Sequence, residues 1–153
     1  MKDALSWFFA ELYEVWLGVY DTKFVLIYQT LYEEGGYLWF GLIFILIPLL
    51  LLILFYFLWK YPYGRFWHWL LWWLIISLVV AFVIWRVSEV AIFDSNNQSL
   101  TDALADLETG YDRHARTLPL QYAIYSSLIS LGLGFIYSLV LKRWSKIQIH
   151  LPF

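Results

Sequence analysis

Side chains able to carry chemistry are sparse in this chain and fall into three groups. Asp102, Asp106, Glu108 and Asp112 bring carboxylates into one short stretch. That is oxygen enough for a divalent cation, but the spacing matches no calcium loop and reads as a solvated polar face. His68, His114 and His150 are too dispersed for a ligand set or a catalytic base: His68 lies beside aromatics, His114 between basic neighbours and His150 in a short tail. The third group is a run of small residues, in which Ser126, Ser130, Gly134 and Ser138 recur every four positions with Ser127 and Gly132 beside them.

Absences narrow the chemistry further. Without cysteine there is no disulfide, thiolate metal site, iron–sulfur cluster or cysteine nucleophile. No phosphate-cradling glycine loop, GxSxG elbow or HExxH helix occurs. We therefore expect no catalytic residue, no metal site and no cofactor, and read the chain as non-enzymatic. Asn97, Gln98 and Ser99 form a glycosylation sequon, which has meaning only in a eukaryotic secretory pathway.

Small side chains at a spacing of four share one face of a helix and let another backbone approach closely, which is how membrane helices associate. Three readings are open for the Ser126, Ser130, Gly134 and Ser138 face. It packs against the chain's own helices, forms an interface with a second copy or another subunit, or lines a pore with hydroxyls.

The elements that must position these residues are membrane helices. The chain is 62% hydrophobic, 22% aromatic and only 14% charged, well below the roughly 25% charge of soluble domains. Runs at about 37–59, 67–85 and 120–141 contain no Asp, Glu, Lys or Arg, and each is long enough for the roughly 30 Å hydrocarbon layer. Pro48 falls inside the first run, where we expect a bend rather than a break, and Pro119 stands where the third helix should begin. The short connection at 60–66 makes the first two spans an antiparallel hairpin. Trp59, Trp67, Trp69, Trp72, Trp73, Trp85 and Trp144 lie at span ends, as interfacial anchors do.

Residues 1–36 read differently. Glu11, Glu14, Gly18 and Asp21 make a narrow polar stripe on an otherwise apolar segment, the pattern of an amphipathic helix at the membrane surface or against the spans. The segment lacks a basic start and an uninterrupted apolar stretch, so it is not a signal peptide. The 87–119 loop is acidic, with a short helix expected after Ser99 as N-cap and Asp102 three residues on. Leu100, Leu104 and Leu107 would share its apolar face, and Gly110 would end it. Arg86 and Glu89 read as an ion pair at a helix end.

The expected architecture is thus an all-α integral membrane protein with three transmembrane helices and an amino-terminal interfacial helix, divided as 1–36, 37–141 and a basic tail at 142–153. Lys60, Arg65, Lys142, Arg143 and Lys146 flank spans on one side without an acid among them, while Lys2, Lys23, Arg86, Arg113 and Arg116 share the other with all twelve acids. The density of the first group places the turn and the carboxy terminus in the cytoplasm, and the amino segment and acidic loop outside or in the periplasm. A formal net charge of −2 with scattered basic residues gives no attraction for nucleic acid. The expected partners are membrane lipids and either further copies or other subunits of a membrane complex. The leading expectation is a scaffold or anchor in a larger envelope assembly of a bacterial inner membrane, such as a secretion or injection apparatus. In topology alone the chain resembles one class of phage holins, which implies a pore-forming homo-oligomer as the alternative. A cofactor- or lipid-dependent enzyme or transporter is weaker, because the spans lack the ionisable residues such chemistry uses.

Overall fold

The computed structural model describes residues 2–58, 66–106 and 108–145, and every regular element among them is helical. Helix α1 (Lys2–Glu11) runs into a turn of π-helix (Leu12–Trp16). A 3-10 turn (Thr22–Phe24) leads into α2 (Val25–Glu33), and α3 (Gly36–Ile53) ends in a second π turn (Leu54–Leu58). Then follow α4 (Phe66–Phe93), α5 (Gln98–Ala105) and α6 (Tyr111–Lys142). The 60–66 turn falls almost wholly outside the described residues, as do Trp59, Leu107, Lys146 and His150.

Helices α3, α4 and α6 pack on one another as a three-helix bundle. With its π turn, α3 is long and apolar enough to cross a membrane, and so are α4 and α6. Only 33%, 22% and 28% of their most apolar windows are buried inside the protein, so most of that surface faces outward. Helix α3 continues through Pro48, which is buried. A neighbouring helix can shelter the carbonyl that proline leaves without a donor.

Two spans run further than their apolar stretches. Helix α4 passes Arg86 and continues to Phe93, because Val80, Ile84, Ser88 and Ile92 keep a buried face at four-residue spacing beyond the charge. Helix α6 starts at Tyr111, not at Pro119, which lies buried within it. Ala115 and Leu118 extend the buried face upstream, while Asp112 and Arg116 pair one turn apart on the exposed side. Gly110, expected to end the preceding helix, instead precedes α6 with φ +76°, a left-handed conformation suited to glycine. The N-cap of α5 is Asn97 rather than Ser99, its side chain accepting from the Ser99 backbone N–H at 3.1 Å.

The amino-terminal segment is not one amphipathic helix. Gly18, with φ +67°, breaks it after the π turn, and the chain reverses into α2. Among the described residues, the buried apolar side chains form two groups. Near the start of α3, Tyr13, Ile27, Leu31, Tyr37 and Phe40 join Ile84, Ile92, Leu100 and Tyr122. Near its end, Leu52, Phe55 and Tyr56 pack with Trp69, Ile76 and Leu141.

Candidate functional site

The small-residue face of α6 is turned into the bundle: Ser126, Ser130, Gly134 and Ser138 are all buried. Ser126 donates to the Tyr122 carbonyl at 2.6 Å, which leaves its oxygen to accept from the Tyr13 hydroxyl at 2.6 Å. Ser138 accepts from Trp69 Nε1 at 2.7 Å and also pairs with the Tyr56 hydroxyl. Among the described residues, Ser130 bonds only within α6, to the Ser127 carbonyl at 2.8 Å. Ser127 itself meets Ser77 of α4 at 2.6 Å. At Gly134 a Cβ would come within 3.0 Å of Trp73 Nε1, so glycine allows that indole to reach the Leu131 carbonyl at 3.0 Å. The face therefore meets α1's π turn, α3's π turn and α4 of the same chain. Its hydroxyls hold helix register through buried hydrogen bonds of the kind that links membrane helices.

The tryptophans at span ends divide into two sets. Trp67 and Trp144 are exposed at one end of the bundle, and Trp85 is exposed about two turns before the end of α4. Trp69 is buried and stacks on Trp73 with ring centroids 5.4 Å apart, while Trp72 stacks on Phe55 and donates to the Leu51 carbonyl at 3.2 Å. These three indoles join helices to one another. The sequence reading did not single out Trp7, Trp16 and Trp39, which are 58%, 76% and 59% exposed. Their positions in a mixed polar segment and in the first turn of α3 are the signal that marks them.

Helix α1 docks through aromatic rings. The Phe9 ring sits over Gly41, where a Cβ would clash at 2.2 Å, and meets Phe44 edge-on. The Tyr13 ring contacts Tyr37, Phe40, Phe44 and Tyr122. On the far side of α2, Tyr28 donates to the Val19 carbonyl at 2.7 Å and lies 2.9 Å from His114 Nε2. His114 stacks on Phe24 at 4.1 Å. This histidine thus helps hold α2 against α6.

Between α1 and α2 lies an open cleft of about 460 Å³. Its walls carry Glu11 and Glu14 from the first arm and Glu33 from the second, with Trp7, Tyr28 and Tyr32 among them. Burial pushes the Glu14 carboxyl above its ordinary value, and a hydrogen bond with Tyr37 partly offsets that rise. Asp102, Asp106, Glu108 and Asp112 remain apart from this cleft, and Asp112 is held by Arg116. Among the described residues, no three His, Asp or Glu side chains are grouped so as to hold a metal ion.

Compared with known families, characterised proteins and solved structures, the chain matches none.

Proposed function

We propose that this chain is a non-enzymatic, three-span membrane scaffold that assembles with further copies or anchors a larger envelope complex, such as a secretion or injection apparatus, in a bacterial inner membrane. The observation that carries the reading is the outward surface of the bundle. Leu71, Leu78 and Phe82 of α4 and Leu120, Ile124 and Leu128 of α6 are large, apolar and exposed. Water does not tolerate so much contiguous apolar surface, whereas lipid covers it without cost. Trp67 and Trp85 stand about 27 Å apart along α4 at about 1.5 Å per residue, close to the roughly 30 Å of a hydrocarbon core.

In this reading the 60–66 turn and the carboxy terminus face the cytoplasm, and α2 and α5 lie outside. The pore-forming alternative needs hydroxyls presented between copies, yet those of Ser126, Ser130 and Ser138 are engaged within the chain. A second copy or another subunit then meets the lipid-facing sides of α4 and α6, or the outer elements. Extraction in mild detergent followed by native mass spectrometry tests the scaffold reading. The expected mass exceeds one chain, with defined stoichiometry or additional polypeptides. A monodisperse monomer without partners would refute it.

A further inference from the structure

We propose that the cleft between α1 and α2 binds an amphiphile with an ammonium head, the head among Glu11, Glu14 and Glu33 and the hydrocarbon chain along the neighbouring apolar slot. This rests on the membrane reading above and names one ligand class for it.

The cleft selects for charge. Its lining includes three carboxylates and no Lys, Arg or His. The ion pairs among the described residues, Arg86–Glu89 and Arg116–Asp112, both lie elsewhere. It also selects for size. No metal-holding group of acids forms here, and a void of about 460 Å³ suits a bulky organic cation better than a bare ion. Its aromatic walls favour the same guest. The rings of Tyr20 and Tyr28 are tilted by 48° with centroids 5.0 Å apart, making a corner of π faces, and Trp7 and Tyr32 also line the cleft. Ammonium groups bind over such faces.

A groove on the exposed face of α1 and its π turn points to the tail. A second recess of about 200 Å³, almost wholly apolar, lies among Trp7, Phe8, Leu12 and Trp16 and shares Trp7 and Glu11 with the first. An acidic, aromatic cleft on one side of the Trp7–Glu11 ridge and an apolar groove on the other give a head and a chain neighbouring places to lie. The raised Glu14 carboxyl fits this pairing, since an ammonium beside it would favour the ionised form that burial disfavours. Trp7 and Trp16 are exposed, as residues meeting lipid at an interface are.

The test uses the full chain in nanodiscs of equal phosphatidylethanolamine and phosphatidylglycerol, with retained lipids counted by native mass spectrometry. Phosphatidylethanolamine should be retained preferentially, and Glu11→Gln/Glu14→Gln should reduce that retention about tenfold. Tyr32→Ala, at an exposed wall position, should weaken it independently, while Glu108→Gln should not. Equal retention of phosphatidylglycerol, or unchanged retention in both cleft variants, would overturn the proposal. To separate lipid from free cation, dodecyltrimethylammonium and tetramethylammonium are titrated as competitors. The long-chain ion should compete at lower concentration, and equal potency would overturn the two-compartment site. A chain released by alkaline carbonate would refute the membrane reading itself, whereas a membrane-retained chain without head-group preference refutes only this site.

Discussion

Gly41→Ala isolates the docking of α1 from the rest of the fold. A Cβ at this position would stand 2.2 Å from the nearest Phe9 ring carbon, with two more ring carbons at 2.3 and 2.4 Å. The ring is 4% exposed and lies against Phe44, so it must leave its site or push α1 away from α3. Overpacking of this kind costs about 1–3 kcal/mol, which raises the undocked population about 5- to 150-fold. Alanine is the better helix former, so α3 itself is not weakened. Hydrogen–deuterium exchange in nanodiscs should show residues 3–16 exchanging faster by that factor while α4 and α6 stay unchanged. Gly132→Ala, where an added Cβ meets nothing within 4 Å, is the matched control. Wild-type exchange of α1 in Gly41→Ala, or faster exchange throughout the bundle, would refute the reasoning.

Ser138→Ala removes the acceptor of Trp69 Nε1 and the partner of Tyr56 and should lower stability by about 1–3 kcal/mol in detergent-unfolding titrations. Ser130→Ala, which loses only a bond within its own helix, should change it far less. Asn97 caps α5 and donates to Thr30 Oγ1 at 2.8 Å. Asn97→Ala should therefore destabilise the fold by about 1 kcal/mol, and the folded chain should resist glycosylation at the sequon in a mobility-shift assay. Because burial raises the Glu14 carboxyl above 4.5, its neutral form is the one the fold prefers. Its contribution is favourable below that value and is lost as pH rises through the raised folded value. Glu14→Gln should flatten this loss in pH-dependent exchange of α1, and an unchanged pH profile would contradict the assignment.

The three long helices were legible because uncharged apolar runs of membrane length have few other solutions. Their ends were not. Charges at Arg86 and Arg116 close the apolar runs, but Ile92 and Ala115 carry the buried faces past them, and only tertiary packing reveals that. The choice of Asn97 over Ser99 as cap likewise depends on Thr30, which lies far away in the chain. The four-residue spacing on α6 marked a close-contact face, whereas its partners Tyr13 and Tyr56 carry no periodic signal of their own. Those pairs join residues 113 and 82 positions apart. Glu11 and Glu14 were visible as a polar stripe. The opposing wall of the cleft was hidden, because the reversal at Gly18 brings Tyr28, Tyr32 and Glu33 across from them.

Three helices that cross a bilayer would leave α5 and the end of α6 on opposite sides. The chain contains no cysteine, so single Thr101→Cys, Leu78→Cys and Arg143→Cys variants can each be labelled with a membrane-impermeant maleimide in intact cells and again after lysis. Thr101→Cys should label from outside and Arg143→Cys only after lysis, with Leu78→Cys protected in both until detergent is added. Labelling of Thr101→Cys and Arg143→Cys from the same side, or of Leu78→Cys without detergent, would contradict the three-helix crossing.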